Sequence, residues 1–173
     1  MFNFYLLSSI LLISLIFFFL GNNRAKKLVI LNKKNLHSLT HYYGVYSLLA
    51  SLLPSLGLFF IFTICDDLLF AELIKKYIPE EVVTSKDYNF TIVLAQINNS
   101  VEGLIFGTPP QWVTNAAEIW VSWVHKSQII TVISCISTAL ISGFFGYKKI
   151  NSDFRSRNAV EKIVMSILAV SSV

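Results

Sequence analysis

The sequence predicts an all-α membrane protein with three transmembrane helices, a truncated fourth, and an interfacial or periplasmic helical segment between the second and third. Three observations carry this. Of 173 residues, 54% are hydrophobic and only 14% charged, about half the charged fraction of a soluble domain. Mean hydropathy is +0.63. The charges gather between long apolar runs, and their sign alternates along the chain. A soluble domain of this size could not hide so much apolar surface without large exposed patches. A soluble enzyme, a disordered chain and a disulfide scaffold are therefore disfavoured. The net charge of +4 does not signal nucleic acid, because the basic residues flank apolar runs.

The first run, residues 4–20, holds seventeen residues without a charge. At 1.5 Å per residue it covers about 26 Å, close to the bilayer core. No basic stretch precedes it, and Arg24, Lys26 and Lys27 follow it. That order suits a retained span better than a cleaved signal peptide. Residues 28–36 are expected to lie along the headgroups as a basic amphipathic stretch.

Tyr42, Tyr43 and Tyr46 mark the aromatic belt at the entry to the second run, residues 45–64. Pro54 and Gly57 interrupt that run, as membrane helices tolerate. His37 and His41 have the spacing of two metal ligands on one helical face. They lack a local third ligand, so interfacial polar residues are the better account and no metal is expected.

Residues 65–128 hold four lysines against eight acids. Within them, residues 68–78 are read as a separate short interfacial helix, with Glu72 and Lys76 placed for an i,i+4 pair and Pro79 ending it. Residues 87–97 fit helix or strand, and helix is favoured because the rest of the chain is helical. Gly103 and Gly107 bracket a turn. Thr108-Pro109-Pro110 resembles a helix start, with Thr108 as cap. That helix is expected to run through Trp112, Trp120 and Trp123 into the third run, residues 129–145. Residues 163–173 are eleven more uncharged positions, too few to span. They lie on the surface or open a longer helix.

Lysine and arginine concentrate in cytoplasmic loops. Residues 21–44 carry +5, the middle segment −4 and residues 146–162 +3. Loops 21–44 and 146–162 are thus expected inside, with the N-terminus and residues 65–128 outside. Two stripes of small residues also recur every four positions: Ser47, Ser51 and Ser55 in the second run, and Ser134, Thr138, Ser142 and Gly146 in the third. Such stripes let helix backbones approach closely in lipid, so the two spans are expected to pack against each other or against further spans. No charge lies within a run, which argues against proton relays or ion sites there. There is no phosphate-binding loop, HExxH or GxSxG. Cys65 and Cys135 are not expected to pair.

Two stretches are more specific. Leu36-His37-Ser38-Leu39-Thr40-His41-Tyr42-Tyr43-Gly44 resembles the LHSLPxYYG stretch in the N-terminal extension of PstC-type permeases, subunits of bacterial phosphate ABC transporters. It departs at Thr40, where proline is usual. Phe154-Arg155-Ser156-Arg157-Asn158-Ala159-Val160-Glu161-Lys162 resembles the FRARNxVER segment just before the permease core, with lysine replacing the final arginine. The resemblance covers nearly the whole chain. It implies a domain division into an extension, residues 1–150, and a cytoplasmic linker with the start of the first core helix, residues 151–173.

It further implies a non-enzymatic, multi-pass protein of the bacterial inner membrane with no cofactor, contributing anchoring and helix packing to an ATP-driven phosphate importer. The implied partners are the lipid bilayer, a second permease subunit, a cytoplasmic ATPase and a periplasmic phosphate-binding protein, with no nucleic acid. The positions that match the family are His37, Ser38, Leu39, Tyr42, Tyr43, Gly44, Phe154, Arg155, Arg157, Asn158, Val160 and Glu161. None is a catalytic or substrate-binding position. The alternative is a small stand-alone membrane scaffold or regulatory protein of a transporter.

Overall fold

The structure, a computed structural model, describes residues 2–32, 36–84, 88–104 and 107–172, and within them the apolar runs propagate as helix, the second straight through Pro54. The elements are α1 (Phe2–Asn32), α2 (Thr40–Ile74), a 3-10 turn (Lys75–Tyr77), α3 (Glu80–Val83), α4 (Phe90–Val101), α5 (Gln111–Lys148) and α6 (Ser156–Ser171). Among the described residues there is no strand. The helices α1, α2 and α5 have 31, 35 and 38 residues, or about 46–57 Å at 1.5 Å per residue. All three are long and apolar enough to cross a membrane.

Each is longer than its apolar run, and this corrects the expected loops. Residues 28–32 continue α1 rather than lying flat, because Arg24 to Asn32 contain no helix breaker; residues 33–35 lie outside the described residues. The separate interfacial helix at 68–78 does not exist as such. Its residues to Ile74 are the end of α2, carrying Asp66 and Asp67 within the helix, because no proline falls between Pro54 and Pro79. Pro79 instead precedes α3, and its carbonyl accepts from the Val82 and Val83 amides. α6 starts at Ser156, so the linker is shorter than expected and Arg157, Asn158 and Glu161 are helical.

The chain divides into two compact units, Met1–Phe59 with Val132–Val173, and Phe60–Thr131. In the first, the helices meet through small residues. Ser14, Gly21 and Ala25 of α1, Ser47, Ser51 and Ser55 of α2, and Cys135, Ala139, Gly143 and Gly146 of α5 are buried. The Ser14 hydroxyl donates to the Ile10 carbonyl at 2.9 Å and lies 3.4 Å from the Ser51 hydroxyl. Ser51 donates across to the Ala139 carbonyl at 2.9 Å. A methyl group added at Gly21 would stand 2.5 Å from Ser47 Oγ, one at Gly143 2.5 Å from the Phe17 ring, and one at Gly146 2.7 Å from Ala50 Cβ. Backbones this close require small residues. The Ser47–Ser51–Ser55 stripe is thus the packing face of α2. The α5 stripe is shifted by one position from the expected one: Cys135, Ala139 and Gly143 are buried, whereas Ser134, Thr138 and Ser142 are half-buried. Gly146 belongs to both.

In the second unit, α4 follows Asn89, whose side chain accepts from the Thr91 amide at 3.0 Å as a helix cap; the helix favoured there is present. Gly103 and Gly107 have φ of 74° and 85°, which glycine adopts without the clash other residues meet. α5 starts at Gln111, with the Pro110 carbonyl accepting from the Val113 amide. Thr108 therefore lies too far upstream to cap it. The core of this unit is Ile74, Ile78, Val93, Ile97, Val113, Ala116 and Ala117, with Trp112, Trp120 and Trp123 packed against it. Glu72 pairs with Lys75 at 2.6 Å rather than with Lys76. Both cysteines are free.

Candidate functional site

The two family-like stretches meet. They are separated by more than a hundred residues, yet α2 begins at Thr40 and α6 at Ser156 within the same unit, and their leading segments touch. Tyr43 is fully buried, and its hydroxyl donates to the Phe154 carbonyl at 2.8 Å across 111 positions of sequence. Ser38 Oγ accepts from the Arg157 amide at 3.2 Å across 119 positions. That bond satisfies one of the amides a helix leaves unpaired in its first turn. The Phe154 ring meets the Tyr46 ring edge-on at 4.7 Å and the Tyr43 ring at 6.2 Å. Beneath lies a small core of Ala25, Tyr43 and Ile150, against which Leu28, Leu36 and Phe154 pack.

The remaining matching positions separate into those at the junction and those beside it. His37, Arg155, Arg157, Asn158 and Glu161 line an open cleft of about 450 Å³. Arg157 Nε donates to Glu161 Oε1 at 2.7 Å, i,i+4 on α6. This bond and the carboxylate charge raise the guanidinium pKa above its ordinary value. Val160 is buried. Leu39 exposes its side chain, although its carbonyl accepts from the Tyr42 amide at 3.0 Å. Gly44 faces α1 instead, where an added methyl group would stand 2.9 Å from Phe18. Tyr42 is half-buried beside His41, with their rings 6.5 Å apart. His37 precedes α2 and His41 lies within it against Phe18 at 5.3 Å, so the two histidines do not share a helical face. Among the described residues, no three metal-ligating side chains come together.

The structure adds residues that spacing did not single out. Arg24 reaches from α1, donating from Nε to the Ile150 carbonyl at 3.1 Å and stacking over Tyr147 at 4.6 Å. Lys149 lies over both Tyr46 and Phe154, at 6.0 and 5.6 Å. The only sequence signal for these was charge beside aromatic residues at span ends, which reads as orientation and not as contact. The second unit has a cavity of about 290 Å³ bearing the neutral polar side chains of Gln96, Asn99, Ser100 and Thr108.

The chain as described ties the apolar helices to a basic, aromatic end where α6 starts. A family model described as "Phosphate ATP-binding cassette transporter" matches residues 7–173. The chain belongs to this family. No curated protein and no solved structure matches it. Family membership agrees with a PstC-type permease, and together with three membrane-length helices it assigns the protein to a membrane as part of a transporter.

Proposed function

We propose that this chain is the N-terminal membrane region of a permease subunit in an ATP-driven phosphate importer of the bacterial inner membrane. Residues 1–150 form an extension that anchors and packs, and residues 151–173 lead into the first core helix. The observation that carries this is the junction of the two family-like stretches. Tyr43, Phe154, Ser38 and Arg157 fasten the start of α6 to the start of α2, so the extension fixes where the core helix begins. The Arg24 bond to the Ile150 carbonyl ties α1 into the same end. The charge pattern supports a topology with this junction in the cytoplasm and residues 65–128 outside.

In the assembled transporter, the partners are a second permease subunit, a cytoplasmic ATPase and a periplasmic phosphate-binding protein. The chain carries no catalysis of its own; its contribution is helix placement.

Two measurements test this. Expressed in frame with the permease core, the chain should co-purify with the ATPase and the second permease. Purification with neither removes the importer assignment. In a Cys65→Ser, Cys135→Ala background, cysteines placed at Lys26 and Lys149 should resist a thiol reagent that cannot cross the membrane, whereas Cys65, kept as the single cysteine by Cys135→Ala alone, should react. Labelling at either lysine position overturns the topology.

A further inference from the structure

Beside the junction lies a second basic feature with a different chemistry. Leu20, Arg24, Lys26, Lys27 and Ile30 of α1 and Tyr147 of α5 line a groove of about 360 Å³ within one unit. It holds three cations and no carboxylate. Arg24 is already positioned: Nε is committed to the Ile150 carbonyl at 3.1 Å and the guanidinium plane is stacked on Tyr147 at 4.6 Å. Its terminal nitrogens make no further hydrogen bond among the described residues, so a planar donor fork stays available. Lys26 and Lys27 are exposed and form no ion pair among the described residues. The apolar walls are exposed as well, Leu20 by 44% and Ile30 by 77%.

A free anion would use the cations and gain nothing from the exposed Leu20 on their bilayer side. A ligand with a phosphate beside hydrocarbon uses both. The neighbouring cleft of Arg155 and Arg157 lacks this combination, because Glu161 already occupies Arg157 and its lining is polar. Lys148 and Lys149 lie over aromatic rings. The location also fits, because the groove follows the apolar run of α1, where a membrane-spanning helix meets the headgroups.

We propose that this groove binds one anionic phospholipid. Its phosphate rests on Arg24, Lys26 and Lys27, and its upper acyl chain covers Leu20, on the bilayer side of those cations. Tyr147 orders the guanidinium from below. The proposal rests on the membrane-spanning reading of α1.

The test has two stages. Carbonate extraction of membranes containing the full chain comes first; release into the supernatant overturns the spanning reading and the lipid site together. If the chain stays embedded, it is purified in a neutral maltoside detergent. Native mass spectrometry then compares retention of phosphatidylglycerol and phosphatidylcholine with identical acyl chains. The expected result is a preference of roughly tenfold or more for phosphatidylglycerol, lost in Lys26→Gln/Lys27→Gln. Both of those side chains are exposed and support no packing. Arg24→Gln should lose the preference too, and the lysine pair keeps the test independent of any loosening of α5. Inorganic phosphate at equal concentration should leave no adduct. The lipid site is overturned by equal retention of the two lipids, by a preference that survives the lysine substitutions, or by phosphate binding equally well alone.

Discussion

The two units differ in what their helix contacts are made of. In the first, the helices meet at Ser14, Gly21, Ser47, Ser51, Ala139, Gly143 and Gly146; some large side chains, among them Ile10, Phe17, Tyr43 and Phe59, are buried, while Phe4, Leu12, Ile16, Phe19, Ile133, Ile141 and Phe145 are exposed. In the second, the interior is Ile74, Ile78, Val93, Ile97 and Val113, ringed by tryptophans. Two solvents would produce such a difference. Lipid tails are as apolar as leucine, so burying leucine between helices gains little there; close backbone contact and hydrogen bonds across helices gain more. Where water is the alternative, burial of large aliphatic side chains is the main driving force. Residues Phe60, Ile61, Ile64, Leu68 and Leu69 of α2 are exposed too, so the second unit combines an aliphatic core with an apolar surface.

Substitutions that change side-chain size can break this contrast. Truncation should matter most in the second unit. Ile97→Ala empties a fully buried site and should cost about 3 kcal/mol, seen as faster amide exchange across residues 90–101. Enlargement should matter most in the first. Gly143→Leu drives a side chain into Phe17 and should cost about 2 kcal/mol, read as a lower unfolding midpoint in neutral detergent. Gly57→Leu, with open space around it, should leave that midpoint unchanged. If Gly57→Leu is as harmful as Gly143→Leu, close packing is not what holds the first unit.

Smaller effects sharpen the comparison. Tyr43→Phe deletes the bond to the Phe154 carbonyl and should cost about 1 kcal/mol, with proteolysis between residues 150 and 156 rising as the α6 start loosens. Ser51→Ala removes the bond to Ala139 and should cost about 0.6 kcal/mol, the average for such bonds in membrane helices. Glu72→Gln, in an exposed pair with Lys75, should shift stability by less than about 0.5 kcal/mol. A larger loss there would mean that the second unit depends on charge and not on its aliphatic core.

The candidate site was legible only in part. Both stretches could be read as special, because Tyr-Tyr-Gly after histidine and Phe-Arg-Ser-Arg-Asn are uncommon strings that match a family. Nothing in local spacing says that Ser38 meets Arg157. Arg24 looked like an orientation charge, and its bond to Ile150 is invisible in sequence, because the partner is a backbone carbonyl and every residue has one. The shifted stripe on α5 has a similar cause. Ser134, Thr138 and Ser142 form a regular pattern of small polar residues, but a helix face is selected by what stands opposite it. Gly143 faces Phe17, Ala139 faces Ser51, and Cys135 packs with Leu6, Ile10 and Phe59.

Sequence alone determined the solvent, the helical class and the number of long apolar helices. Those depend on composition and on runs of residues, which act locally along the chain. It also determined the sign of charge at each end of the runs. Tertiary structure decided how far each helix continues past its run, which face of α5 is inward, and that two stretches more than a hundred residues apart close on one another. These depend on contacts between distant segments, and a linear pattern fixes only which faces are available to meet.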